Sequence, residues 1–189
     1  MSQETIRCFI AVDIGNQVID QILAVQKVLE DTGADVKLVE VRNIHITLKF
    51  LGEILISLVN KIGDELKTVQ FKSFEVSLHR VGVFPDLRRI NVVWVGIGKG
   101  LLELGNLYSQ VESRLKRLGI SPDKRGFSPH LTVARVKSNR NKRQVVETVT
   151  ALQNQEFRVF SVDSIKLKRS QLSPQGPTYT TITEVRSKQ

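Results

Sequence analysis

The sequence has very little cysteine and no long apolar run. Cys8 is the only cysteine, which excludes an internal disulfide and makes an intracellular location the ordinary expectation. No apolar run approaches the length of about 18 residues that a membrane-spanning helix needs. Residues 1–8 also lack the apolar core of a secretory signal. We therefore expect a cytoplasmic protein that does not contact a membrane.

Groups that bind metals are scarce as well. The chain has three histidines, one cysteine and no close cluster of carboxylates, so the sequence does not predict a structural zinc site. Cys8 falls in an apolar, strand-like run without a neighbouring base, and we expect it to fill space in the core. The sequence predicts neither a metal nor an organic cofactor.

Aromatic residues are few and negative charges are outnumbered. An aromatic content of 6% does not favour a stacking surface for long single-stranded nucleic acids. Lysine and arginine total 28 against 19 acidic residues, which gives a formal net charge of +9. This excess favours a polyanionic partner, and nucleic acid is the commonest one. Local basic clusters occur at Arg88-Arg89, Arg114-Lys116-Arg117, Lys124-Arg125, Arg140-Lys142-Arg143 and Lys166-Lys168-Arg169.

Two motifs of the same form stand out: His45-Ile46-Thr47-Leu48, and His130-Leu131-Thr132-Val133 in the second half of the chain. In a strand, alternate side chains share a face, so each motif places one imidazole and one hydroxyl opposite two apolar residues. If the two strands lie close together, two imidazoles meet at one place. They could then act as acid and base in phosphodiester cleavage without a metal. His79 lacks the threonine, and we expect it to be structural.

The remaining pattern predicts an α+β fold. Strands are predicted at residues 6–12, 36–41, 74–84, 90–97, 157–168 and 178–185 and at both motifs, and helices at about 18–29, 54–69, 101–118 and 142–152. This order indicates predominantly antiparallel sheets. The two motifs occupy comparable places in the two halves, which suggests two lobes related by a pseudo-two-fold axis. We expect helices packed outside, a central cleft and a single two-lobed domain over residues 1–189.

The motifs resemble the paired His-x-Thr-x motifs of the two-histidine phosphoesterases. Within that superfamily the chain is similar to the RNA 2′,3′-cyclic phosphodiesterases, which were once called 2′-5′ RNA ligases. The matching segments are residues 7–13, 48–52, 81–85, 129–135 and 167–179. The resemblance implies a bilobal α+β fold in which both motifs line a basic cleft. It also implies hydrolysis of a terminal cyclic phosphate to a 2′-phosphate.

The resemblance also implies roles for the motif residues. His45 would be the proton donor to the leaving O3′ and His130 the proton acceptor that activates water. Thr47 and Thr132 would donate hydrogen bonds to the non-bridging phosphate oxygens. Spacing in the sequence does not by itself decide which histidine is the acid.

Two basic residues near the motifs are further candidates for substrate binding. Lys49 lies four residues after the first motif histidine, and strand parity puts it on the same face. Arg135 lies five residues after His130, so strict alternation points it away from the site. The related family commonly has arginine at this place, and either a β-bulge or the end of the strand would re-aim it toward the phosphate.

The expected partner is RNA that ends in a 2′,3′-cyclic phosphate, for which fragments of tRNA are one candidate, and we expect a monomer. Two other functions stay open on the sequence alone. The same residues could join a cyclic phosphate to a 5′-hydroxyl in a 2′-5′ linkage, which would make the protein an RNA ligase. Alternatively, the chain could be a basic RNA-binding module without catalysis.

Overall fold

The computed structural model describes residues 4–123, 126–174 and 176–188. These residues form nine strands and four α-helices. In chain order they are β1 (Thr5–Asp13), α1 (Ile19–Asp31), β2 (Val36–Leu38), β3 (His45–Leu55), α2 (Ile56–Lys67), β4 (Phe74–Asp86), β5 (Arg89–Ile97), α3 (Leu101–Arg117), β6 (His130–Val136), α4 (Lys142–Ala151), β7 (Glu156–Val162), β8 (Ser164–Ser173) and β9 (Gly176–Arg186). The basic pair Lys124-Arg125 and, in the last predicted turn, Gln175 lie outside the described residues.

The named strands form one antiparallel sheet in the order β7-β4-β5-β6-β3-β1-β8-β9, with the short β2 paired to β6. The two motif strands, β3 and β6, are neighbours at the middle of this order. Lobe 1 consists of β3, β1, β8 and β9, and lobe 2 of β6, β5, β4 and β7. A pseudo-two-fold axis between the motif strands relates the two sets of four.

The helices pack crosswise over the two lobes. Helix α1 follows a strand of lobe 1 but packs against β6 and α4 of lobe 2. Helix α3 follows a strand of lobe 2 but packs against β3 and α2 in lobe 1. Apolar residues recur on one face of each helix because a buried stripe needs a period near 3.6 residues. In α3 these are Leu104, Leu107, Val111 and Leu115.

The predicted α+β class and the pseudo-two-fold arrangement are confirmed, but two predicted strands were wrong in part. The strand predicted at residues 36–41 ends at Leu38, and Val41–Asn43 form a short 3-10 helix. The predicted strand at residues 157–168 is two strands, β7 and β8, separated at Asp163. β7 pairs with β4 at one end of the sheet, whereas β8 pairs with β1 in the other lobe. Apolar residues continue through the break, and its local sign is a change of phase, since Ile165 follows Val162 by three residues.

The hydrophobic core continues beneath both motif strands. Ile46 of β3 and Leu131 of β6 are fully buried and form the backbone pair that joins the lobes. The apolar residues of the motifs therefore anchor the strands, while the alternate residues face away from this part of the core.

In the part of the chain that the structure describes, no helix is long and apolar enough to span a bilayer.

We expect Leu131→Ala to lower the free energy of unfolding by roughly 2–5 kcal/mol, because it opens a cavity where the lobes join. Leu102→Ala is the matched control, since Leu102 is 74% exposed and its truncation should change stability by less than about 0.5 kcal/mol. Urea unfolding of both variants measures the difference. Equal losses would contradict the position of Leu131 in the core.

Candidate active site

The register between the two motif strands brings their polar residues together. Ile46 pairs with Leu131 in antiparallel orientation. Counting outward from this pair, His45 lies across from Thr132 and Thr47 lies across from His130. The two histidines are therefore diagonal neighbours, and in a regular ladder such residues lie roughly 7–8 Å apart, with their Cβ atoms somewhat closer. A phosphate group can be contacted from both sides at such a separation.

The four polar motif residues line one cavity of about 400 Å³. His45, Thr47, His130 and Thr132 all contribute to its wall, as the sequence predicted. Other lining residues come from β2 and the following turn, from later positions of β3 and β6, and from the hairpin of β8 and β9. They include Lys37, Asn43, Phe50, Arg135, Lys137, Leu172, Pro177 and Tyr179. The cavity thus lies at the centre of the sheet, between the two lobes.

A β-bulge decides where Arg135 points. The register between β5 and β6 shifts by one residue at Val133. As a result Val133 and Ala134 are both buried, and Arg135 lines the cavity instead of facing the core. A bulge that re-aims this arginine toward the motif histidines is therefore present.

The equivalent bulge in β3 has the opposite effect on Lys49, and the prediction for this residue was wrong. The register between β1 and β3 shifts at Leu48, so Lys49 turns to the buried side and is only 3% exposed. Its Nζ lies 2.7 Å from Glu112 Oε1 on α3 and donates a hydrogen bond to the carbonyl oxygen of Ser121 at 3.0 Å. Lys49 therefore does not line the cavity. Parity failed because it assumed an uninterrupted strand.

The same bulge reveals a lining residue that the sequence reasoning missed. Phe50 lies five residues after His45, as Arg135 does after His130, and it faces the cavity with 64% of its surface exposed. Leu172, which is 70% exposed, lines the same cavity. The signal was the repeated spacing: once a bulge is allowed in one motif strand, the equivalent residue of the other follows.

Both motif histidines are held by their own strands in the same way. His45 Nδ1 lies 2.8 Å from the carbonyl oxygen of Asn43, and His130 Nδ1 lies 2.7 Å from that of Ser128. A carbonyl oxygen can only accept, so Nδ1 of each ring carries the proton and donates it. This bond fixes the ring orientation and leaves Nε2 for a ligand in the cavity.

Aromatic side chains enclose His45. Phe9 stacks on the imidazole at a centroid distance of 4.7 Å, and Tyr179 meets it edge-on at 5.4 Å. Burial among these rings lowers the pKa of His45 to about 4, because the charged form loses its hydration. The bond to the Asn43 carbonyl opposes this shift, and nearby Lys168 adds to it.

His130 has a similar but more open environment. Phe84 meets its ring edge-on at a centroid distance of 5.0 Å. Burial lowers the pKa of His130, and the bond to the Ser128 carbonyl opposes that shift. Burial therefore favours the neutral form of both imidazoles near pH 7. A bound anion would favour the charged form of either ring.

The basic residues at the cavity are not those of the sequence clusters. Lys37, Arg135 and Lys137 contribute to its lining, whereas none of the four described basic clusters does so. Lys166 and Lys168 of one cluster instead form ion pairs with Asp13. The clusters predicted the sign of the charge but not its position at the cavity.

The two remaining candidates of the sequence lie elsewhere. His79 lines a separate cavity in lobe 2, next to Arg80 and Trp94. Cys8 is buried in the core, and burial raises the pKa of its thiol to about 11, so it is not a nucleophile at neutral pH. No group of three metal-ligating side chains was found within residues 4–123, 126–174 and 176–188.

The chain belongs to the LigT-like phosphoesterase family. The family model described as "LigT like Phosphoesterase" matches it twice, at residues 12–94 and 99–179. Each match contains one His-x-Thr motif, which agrees with the pseudo-two-fold arrangement of the fold.

Several relatives are similar over most of their length. An RNA 2′,3′-cyclic phosphodiesterase of Aeropyrum pernix is 41% identical over 156 residues, which cover 82% of this chain and 89% of the relative. One of Methanothermobacter thermautotrophicus is 37% identical over 179 residues, covering 93% and 95%. The crystal structure of Escherichia coli LigT complexed with 3′-AMP shares the fold, with a TM-score of 0.78 at 22% identity over 98% of this chain and 100% of that one.

The buried position of Lys49 can be tested by a double substitution. Lys49→Met leaves the Glu112 carboxylate buried without its cation and should cost about 3–5 kcal/mol of unfolding free energy. Adding Glu112→Leu removes the unpaired buried carboxylate and should restore most of the unfolding free energy that Lys49→Met loses. Lys27→Met is the control: Lys27 forms an exposed ion pair with Asp31, and its loss should cost less than about 0.5 kcal/mol. A double variant no more stable than Lys49→Met would contradict the pair.

Proposed function

We propose that this protein hydrolyses RNA 2′,3′-cyclic phosphate ends to 2′-phosphates by metal-independent acid–base catalysis. The observation that carries the proposal is the cross-strand register that brings His45, Thr47, His130 and Thr132 into one cavity. The names of the relatives support the substrate, since they are RNA 2′,3′-cyclic phosphodiesterases.

The chemistry needs one charged and one neutral imidazole. Water attacks phosphorus while His130 Nε2 takes its proton. The bond between phosphorus and O3′ breaks, and charged His45 donates its Nε2 proton to the leaving oxygen. The product carries a 2′-phosphate and a 3′-hydroxyl, and proton exchange with solvent resets both rings. Each positioned proton transfer contributes a factor of about 10²–10⁴.

The other lining residues bind and orient the substrate. Thr47 and Thr132 each lie across from a histidine and donate hydrogen bonds to the non-bridging oxygens, which keeps phosphorus between the rings. Arg135 adds a cation whose planar guanidinium suits a phosphate. Phe50 offers an exposed ring on which the terminal base can stack, a contact that tolerates any base.

The histidine roles assigned by the resemblance require a proton on the more buried ring. His45 as the donor must be charged although burial lowers its pKa to about 4. The cyclic phosphate is an anion, and its arrival beside the imidazole raises that pKa within the complex. The substrate thus helps to charge the acid that acts on it.

We expect a monomeric, cytoplasmic enzyme in which residues 1–189 act as one two-lobed domain, with fragments of tRNA as candidate substrates.

Side chains supply both the proton transfers and the charge stabilisation. Prolonged treatment with a chelator should therefore leave the rate of hydrolysis unchanged.

Product analysis of an oligonucleotide that ends in a 2′,3′-cyclic phosphate tests the function directly. The wild-type protein should yield a 2′-phosphate end, and His45→Ala and His130→Ala should each lower turnover by about 10²–10⁴, because each removes a proton transfer. His79→Ala, in the other cavity, is the control and should keep wild-type turnover. Circular dichroism of all three variants checks that the fold is kept.

The same assay separates the alternatives. With a 5′-hydroxyl acceptor present, a longer product that contains a 2′-5′ linkage would identify a ligase. Binding of the oligonucleotide without any turnover would leave only an RNA-binding module. Either result, or near wild-type turnover of both alanine variants at the motifs, would overturn the proposed hydrolase.

The lowered pKa values predict an unusual pH dependence. kcat/KM reports the free enzyme, in which both imidazoles are neutral above their lowered pKa values. The fraction of free enzyme in which the acid carries its proton decreases as pH rises. kcat/KM should therefore fall by up to about tenfold per unit above pH 7. kcat reports the complex, where the phosphate raises the pKa of the acid, and it should decline only at higher pH. Rates at constant ionic strength between pH 4.5 and 8.5 measure both; a kcat/KM that is flat or rises from pH 6 to 8 would contradict this account.

A further inference from the structure

The bulge at Val133 needs a partner for its backbone. An extra residue in a strand loses its place in the ladder, and a buried carbonyl without a hydrogen bond is costly. The carbonyl oxygen of Val133 accepts one hydrogen bond from the backbone N–H of Val39 at 2.9 Å. It accepts a second from Nε2 of Gln26 at 2.9 Å.

Gln26 is a buried polar residue on an otherwise apolar helix face. It lies in α1 among Ile22, Val25 and Leu29 and is only 5% exposed. Its amide group also donates to the carbonyl oxygen of Val39 at 2.7 Å. The side chain of Gln26 therefore links two backbone carbonyls, one of them in the bulge, to α1. This helix follows a strand of lobe 1 but packs on lobe 2.

The other motif strand has a comparable arrangement. At its bulge, buried Lys49 bridges Glu112 of α3 and the carbonyl oxygen of Ser121. In both halves a buried polar side chain links a bulged motif strand, the crossing helix and the segment that precedes the other motif. The residue that follows the bulge is thereby fixed on the cavity side: Phe50 in one half and Arg135 in the other.

We propose that Gln26 is a positioning residue that directs Arg135 into the cavity by holding the bulge at Val133. Without the two hydrogen bonds that Gln26 donates, to the carbonyl oxygens of Val39 and Val133, β6 is free to return to regular alternation. Strict alternation would turn the guanidinium away from the substrate. This inference rests on the proposed function only in that the ligand of Arg135 is a nucleotide phosphate.

A double-mutant cycle between Gln26 and Arg135 tests the proposal. Gln26→Met keeps the side-chain volume but cannot donate, and the Val133 carbonyl retains its bond from Val39, so the fold should persist. Arg135→Ala should lower kcat/KM by about 10- to 100-fold, the value of a hydrogen bond to a charged group. Gln26→Met should cause most of the same loss, and the double variant should lose little more.

Two controls distinguish positioning from general loosening of the helix. Val25→Ala removes a buried neighbour on the same helix, and its effect should multiply with that of Arg135→Ala. Phe50→Ala lies at the other bulge, and its effect should multiply with that of Gln26→Met. Gln26→Leu, which also lacks a donor, serves if Gln26→Met fails to fold.

The cycle is repeated on the Kd of a nucleoside 2′-monophosphate, so that it does not depend on turnover. Coupling in Kd with no hydrolysis by wild type would support the role of Gln26 and reject the proposed hydrolase. If the wild-type protein hydrolyses the substrate but the effects of Gln26→Met and Arg135→Ala multiply, the hydrolase is supported and the role of Gln26 is rejected. An Arg135→Ala variant equal to wild type in both kcat/KM and Kd would also overturn the inference.

Discussion

The arrangement of the site depends on one backbone pair, Ile46 with Leu131, at the junction of the two lobes. Side chains alternate along a strand, so a slip of one residue here would turn a motif histidine and threonine into the core. Both members of the pair are fully buried and apolar, and burying the polar face instead would leave imidazole and hydroxyl groups without water. The hydrophobic register therefore specifies where the polar groups stand.

Burial also shapes the chemistry of the histidines. Rings that pack against Phe9, Tyr179 and Phe84 lose hydration, and the neutral imidazole is favoured in each. The same apolar walls strengthen any electrostatic contact with a bound phosphate, because the local dielectric is low. The cost of charging a ring and the strength with which a charged ring binds an anion thus have one origin.

Much of the fold and the centre of the site could be predicted from the sequence, because both follow from simple periodicity. The two motifs, their alternation and their equal surroundings were enough to indicate that His45 and His130 would meet. Lys49, Arg135 and Phe50 show what periodicity omits. A bulge depends on backbone partners supplied by distant segments, such as Gln26 for β6, and no local pattern records such partners. The break at Asp163 was missed because apolar residues continue on both sides of it, and its local sign is only a one-residue change of phase between Val162 and Ile165.

The crosswise packing of the helices has a consequence for how this molecule can be divided. Each lobe takes its outer helices and strands from both halves of the chain: α3, β8 and β9 complete lobe 1, whereas α1 and β4 complete lobe 2. A polypeptide cut between β5 and α3 would therefore yield two fragments that each expose unpaired strand edges and an uncovered apolar face. The two halves that match the family model are interlocked in space, so neither half completes a lobe without the other.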